Sequence, residues 1–277
     1  MTHRPSLTMF VASHELVSLK KISDANFLRK VSLDDIHLPI QFKGQLMAES
    51  RIYFEDLFRG CKSDFVGLCS PRWSERYPNW PSLENLEQSI PILGQREILA
   101  PQALRTQTHN IPKWIVAQDL VHPGISDFLF RVWRELDSGN SKRTWLPMGN
   151  TYILPQGIFR EVIQKWDLLF PKISRSDFRD LNFGHICIKC GQQSEDGIGR
   201  WKSNRQASYF LERVVALILA SVEGLRVVKL NQKGEKIKEH PFNTTRGLPW
   251  TALAYSKVSQ LLISPSNCNH IHFGPGK

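Results

Sequence analysis

The segment YFLERVVALILASV, residues 209–222, sets the strongest condition on the fold. Its stretch Val214 to Val222 holds no charged residue and is apolar nearly all round. That pattern predicts a helix buried on every side, not one lying on a surface. The run is far short of the ~20 residues that span a bilayer. A helix without a polar face needs a layered core around it. The chain has the means to build one: 41% of its 277 residues are apolar and 22% are charged, which excludes wholesale disorder. At ~100–200 residues per domain the length allows one large domain or two small ones.

Short apolar runs at 7–12, 64–69, 97–101, 150–154 and 225–230 predict strands. Helices are expected at 49–59 with Gly60 as the stop, and at 126–136 with Ser126 as N-cap. Another is expected at 159–170, between Pro155 and Pro171. Residues 13–44 read as a long mixed connection with at most a short helix. In SPRWSERYPNWP (70–81), Pro71, Pro78 and Pro81 argue against regular structure. Trp73, Tyr77 and Trp80 stand there among arginines. Such a loop either binds a planar or sugar ring or is pinned by its own aromatics. Residues 190–206 read as a polar loop, and periodicity fades beyond Lys236. Strands alternating with helices predict an α/β sheet between helical layers, with ligands held by the loops at strand ends.

Net charge is +10. An acidic partner follows from that: nucleotide phosphates, an anionic membrane face or nucleic acid. The basic cluster Arg226, Lys229, Lys233, Lys236 and Lys238 is offset by Glu235 and Glu239, too thin a surplus for a nucleic-acid track. Five cysteines, an odd and sparse count, argue against a disulfide framework and for a reducing, cytoplasmic compartment. The opening residues lack the apolar stretch of a secretory signal. Cys187 and Cys190 with His185, and Cys268 with His270 and His272, contain Cys/His ligand types. The second group lacks a zinc spacing, so no metal site is expected. The chain lacks the phosphate-loop, dinucleotide-binding and hydrolase-elbow motifs, and has no Asp-x-Asp at a strand end. Asp34-Asp35 reads as a solvated turn.

Four segments, in order, resemble one family. They are VASHE (11–15), FVGLCSPRW (65–73), GNTYILPQGIFREVIQKWDLLFPKI (149–173) and YFLERVVAL (209–217). Together they are similar to the domain-of-unknown-function 4422 group of capsular and cell-wall polysaccharide glycosyltransferases, of the GT-A type. The likeness covers roughly residues 7–230. The chain departs from the family pattern after Gly67-Leu68-Cys69, where only Arg72 stays in register, and at 190–206, which reads as an insertion.

The resemblance implies a GT-A-like nucleotide-diphospho-sugar transferase fold, with a mixed central sheet flanked by helices. One domain would occupy 1–240, followed by a partly disordered extension over 241–277. It implies transfer from a nucleotide-sugar donor to a glycan or lipid-linked acceptor in surface polysaccharide synthesis. The enzyme would be cytoplasmic, in peripheral contact with an anionic inner membrane face. Its chemistry needs a general base, for which Glu212 is the choice. Donor binding falls to His14, Arg72, Asn150 and Arg213, with Arg205 a distant third among the arginines. Without Asp-x-Asp, arginines must carry the diphosphate, although a divalent cation fits the reaction class. Each has a plain structural reading: an ion pair for Glu212 and Arg213, a turn for His14, stacking on Trp73 for Arg72, a cap for Asn150. Glu49 reads as a helix starter. The rival function is a non-catalytic carbohydrate- or nucleic-acid-binding module on the same fold.

Overall fold

The computed structural model describes residues 5–22, 24–42, 47–90, 93–101, 103–105, 111–118, 125–136, 145–147, 150–173 and 206–237. Its strands are β1 (Leu7–Ser13), β2 (Leu28–Ser32), β3 (Phe65–Cys69), β4 (Glu97–Leu99), β5 (Ala103–Arg105), β6 (Trp145–Pro147), β7 (Tyr152–Pro155) and β8 (Arg226–Val228). Six of them form a sheet in the order β2-β1-β3-β7-β4-β8, and β5 and β6 pair apart from it. β1 runs parallel to β2 and β3, and β8 parallel to β4. β7 runs against both its neighbours, with Leu68 opposite Tyr152 and Leu99 opposite Ile153. The carboxyl ends of five strands therefore share one edge with the amino end of β7. This is the mixed α/β sheet that the sequence predicts.

The helices are α1 (Leu16–Lys20), α2 (Asp56–Arg59), α3 (Trp73–Arg76), α4 (Leu86–Ser89), α5 (Ile111–Gln118), α6 (Ile125–Glu135), α7 (Gln156–Leu169) and α8 (Gln206–Ser221). α8 is buried all round from Val214 to Ala220, as its composition requires. Alternation along β1 sorts the core into two layers. Phe10 and Ala12 join α5, α6, α7 and α8, whereas Met9 and Val11 face Trp73, Leu83 and Leu86. β3 is buried at every position, the pattern of a strand covered on both faces. A Cβ on its Gly67 would meet Met9 Sδ at 2.1 Å and Ile153 Cγ1 at 3.0 Å, so only glycine lets the strands close up.

Three expectations need correction. Residues 13–44 hold α1 and an edge strand, β2, whose exposed Arg29 and Lys30 hide its strand character. Charged edges discourage further pairing. Residues 49–59 form a 3-10 helix, Ala48–Phe54, and then α2, with Glu55 extended between them at ψ 120. Gly60 does end the segment, its N–H bonding Asp56 O at 2.8 Å. The proline-rich loop does contain a helical turn, α3, and its aromatics turn inward: Trp73 lies 5.3 Å from Tyr77 and 6.0 Å from Trp80, ring to ring. Trp73 and Tyr77 are core residues, with Trp73 Nε1 donating to Pro81 O. The pinned-loop reading holds for them. Cys187, Cys190, His185, Cys268, His270, His272, Arg205 and all of 241–277 lie outside the described residues. Among the described residues no helix is long and apolar enough to cross a membrane.

Candidate functional site

The shared edge of the sheet gathers the polar residues that the apolar strands cannot absorb. His14 follows β1, Ser70 follows β3, and Asn150 and Thr151 precede β7. The 3-10 helix Ala48–Phe54 runs across this edge and packs against β1 and α8. Its entry residue, Ala48, has φ +43, the left-handed region that costs an L-residue roughly 1–2 kcal/mol. Strain of that kind persists where the surroundings fix the backbone, and here it delivers Glu49, Ser50 and Arg51.

Each of these three residues reaches a different element. Arg51 Nε donates to Ile36 O at 2.9 Å and Nη2 to Asp34 O at 3.2 Å. Burial lowers the Arg51 pKa, while the charges of Asp34 and Asp35 resist the shift. Arg51 thus fixes the turn after β2, and that turn presents Asp34 to His14, Oδ1 to Nδ1 at 2.7 Å. Asp34 is therefore an orienting partner and not only a solvated turn residue. Ser50 Oγ accepts from Asn150 Nδ2 at 2.8 Å, both residues being buried.

Glu49 acts through charge. Glu212, in the second turn of α8, has its carboxyl pushed above the ordinary glutamate range by desolvation. Arg213 opposes the shift, Glu49 adds to it and Arg76 opposes it. Glu212 sits beyond the first turn, so the helix dipole does not offset this rise. Burial, then Glu49, push the Cys69 thiol far up. Burial likewise raises the Tyr77 phenol; Thr151 and Arg76 counter this, and Cys69 and Glu49 add to it. Glu49, Cys69, Arg76, Tyr77, Thr151 and Glu212 thus share one electrostatic neighbourhood.

Arg213 is buried and donates from Nε to Gln118 Oε1 at 2.8 Å, while Gln118 Nε2 donates to Trp114 O at 3.3 Å. Arg72 points to solvent and pairs with Glu75 at 2.9 Å. Arg76, one turn on, is the α3 guanidinium whose charge acts on Glu212. Two buried polar atoms on this edge have no hydrogen-bond partner among the described residues: His14 Nε2 and Asn150 Oδ1. Such atoms cost about 1–3 kcal/mol each unless water or a ligand meets them. Beneath them Tyr53 and Tyr152 hydroxyls bond to each other in the core. Among the described residues no group of three or more His, Cys, Asp or Glu is placed to hold a metal ion.

Of the residues singled out from sequence, His14, Asn150, Glu212 and Arg213 all line or underlie this edge. Tyr77 and Arg76 come from the aromatic, arginine-bearing loop that the sequence marks, whereas Glu49, Asp34 and Arg51 join them without a sequence signal that sets them apart. Glu49 follows an alanine in an ordinary helix-like stretch, and Asp34 sits in an acidic pair that reads as a turn.

No family model matches the chain, and no curated protein matches it. Among solved structures, the apo form of WbbM, a bifunctional glycosyltransferase, is similar over 82% of this chain and 45% of its own, at 13% identity and a TM-score of 0.45. The chain thus spans less than half the length of that structure.

Proposed function

We propose that this protein is a GT-A-like glycosyltransferase that moves a sugar from a nucleotide-sugar donor to a glycan or lipid-linked acceptor in surface polysaccharide synthesis. The observation that carries the reading is Glu212, whose carboxyl is raised above the ordinary glutamate range by desolvation, with the charges of Arg213, Glu49 and Arg76 acting on it. A base with a raised pKa is suited to take a proton from an acceptor hydroxyl near neutral pH. In the proposed reaction the acceptor oxygen bonds the anomeric carbon as its proton passes to Glu212. The bond from that carbon to the diphosphate oxygen breaks, and the leaving group departs with the electron pair. Arg76, Arg72 and Arg213 supply positive charge toward it.

His14 has the form of an oriented donor-binding residue. Asp34 fixes Nδ1 and leaves Nε2 for the nucleotide base or ribose. Asn150, anchored by Ser50, has its free Oδ1 for a sugar hydroxyl. A cytoplasmic protein at the inner membrane face fits the same reading: α1 exposes Leu16 and Val17 beside Lys20 and Lys21, apolar and basic together.

The test is calorimetric binding of a panel of nucleotide sugars, with EDTA or with Mn²⁺, alongside a transfer assay. Binding of at least one donor, insensitive to EDTA and lost in a Glu212→Gln, Arg76→Gln double variant, is expected. Restoration of turnover by Mn²⁺ alone would place the diphosphate on a cation and not on arginines. Binding with no transfer to any acceptor would leave the non-catalytic carbohydrate-binding module. No binding across the panel defeats the proposal.

A further inference from the structure

A cavity lies away from that edge, over the amino-terminal half of β1 and its neighbour β2. It measures about 500 Å³, within the range of small-molecule sites. Its floor is apolar, made by Phe10, Val31 and Cys61. Leu57 lines it as well and is 76% exposed. The hydroxyls of Ser6, Thr8 and Ser63 line one wall. The cations Arg29, on the same face of the sheet as Phe10, and Lys62 complete the lining, and no carboxylate is among the lining residues.

The way these groups are held matters. Arg29 Nη1 donates to Asn26 O and Leu28 O, both at 3.2 Å, which fixes the guanidinium. Lys30 belongs to the other face of the sheet, that of its partner Val11, where its ammonium meets Asp24 at 2.6 Å. Thr8 Oγ1 and Ser63 Oγ bond each other at 2.7 Å. The adjacent carboxylate, Asp64, takes both the N–H and the hydroxyl of Ser6 at 2.8 Å and is turned to that task. The cavity therefore combines an apolar floor with a positive, hydroxyl-bearing wall.

We infer that this cavity binds a phosphate ester carrying a short apolar group, the phosphate on Arg29 and Lys62 and the apolar part on Phe10, Val31 and Leu57. Fixed guanidinium and ammonium groups with nearby hydroxyls are the donors that a phosphate dianion takes. The exposed Leu57 extends the apolar floor past the charged wall. The inference does not depend on the reading of the carboxyl edge.

The test is calorimetry on the full chain with hexyl phosphate, inorganic phosphate and hexanol as probes. Hexyl phosphate should bind at least about tenfold more tightly than either of the others, because it alone engages both walls. An Arg29→Gln, Lys62→Gln double variant should weaken hexyl phosphate and inorganic phosphate by about tenfold or more. Leu57→Ser, at an exposed position, should weaken hexyl phosphate and leave inorganic phosphate unchanged. Glu212→Gln should leave all three unchanged, which separates this cavity from the edge site. Alkylation of Cys61, followed by peptide mass, should slow when hexyl phosphate is present. Hexyl phosphate that binds no better than hexanol, or whose affinity survives the Arg29, Lys62 double variant, overturns the inference.

Discussion

Two carboxylates in this molecule, Glu97 and Glu212, stand near arginines and are treated in opposite ways. Glu97 opens β4 at the amino-terminal edge of the sheet. Burial pushes its carboxyl up, but the hydrogen bonds from Lys236 and the Gly94 N–H, with the charges of Lys236 and Arg226, outweigh burial and hold it below the usual glutamate range. Its contacts are short: Lys236 Nζ at 2.6 Å and Gly94 N at 2.8 Å. At Glu212 burial wins. Arg213 has an Nε–H already committed to Gln118, and Glu49 adds like charge. The first site is filled by the chain's own donors and ties β8's following turn to the sheet. The second keeps its proton-binding capacity and lies beside buried polar atoms without partners. A completed ion pair is what a fold uses for itself, whereas an uncompleted one is available for chemistry.

The largest difference should appear in turnover. If Glu212 is the general base, Glu212→Gln should cut transfer by roughly 10²–10⁴-fold with donor affinity retained. Glu97→Gln should leave the rate nearly unchanged, since it is remote from the edge. Equal loss in both, or in neither, breaks the contrast.

The arginines sharpen it next. Arg76→Ala should weaken nucleoside diphosphate binding by about 1.5–3 kcal/mol, the scale of a charge-assisted contact. Arg72→Ala should cost less than about 1 kcal/mol, because its guanidinium is exposed and engaged by Glu75. Calorimetry on the two variants gives the order, and a larger loss at Arg72 would move the anion outward along α3.

Stability against pH separates the carboxylates by sign. The folded Glu97 pKa lies below its unfolded value, so its contribution is present above the unfolded value and lost as pH falls through the folded one. Glu97→Gln should therefore cost about 1–2 kcal/mol at neutral pH and little in acid. The folded Glu212 pKa lies above its unfolded value, so its contribution is present in acid and lost as pH rises through the folded one. Glu212→Gln should raise the melting temperature at neutral pH and lose that advantage on acidification. Denaturant midpoints from pH 4 to 8 give both signs.

The smallest effect concerns the strained entry to Glu49. Ala48→Gly removes a Cβ from a φ of +43 and should stabilise the fold by about 0.5–1 kcal/mol. Loss of stability instead would mean that the methyl group packs favourably enough to offset the strain.

The sheet was legible because β1, β3 and β7 are continuous apolar runs, and α8 because its apolar surface has no polar side. β2 was not legible, since an edge strand with Arg29 and Lys30 exposed reads like a solvated linker. The break at Glu55 escaped periodicity because the 3-10 segment and α2 both place aromatics at helix-like spacing. At the site, Glu212, Asn150 and His14 stood out through the segments that carry the family resemblance. Glu49, Asp34 and Arg51 did not, because their roles arise only when separate loops close on one edge. A buried neighbour cannot be read from spacing along the chain.

The most direct measurement is a site-resolved carboxyl NMR titration of Glu97 and Glu212, repeated with UDP, GDP and CDP. Glu212 should titrate above the ordinary glutamate value of about 4.3 and Glu97 below it. At least one of the diphosphates should move the Glu212 midpoint and leave that of Glu97 in place. A Glu212 midpoint at or below the ordinary value, or one that none of the three nucleotides moves, would contradict the proposed role of Glu212.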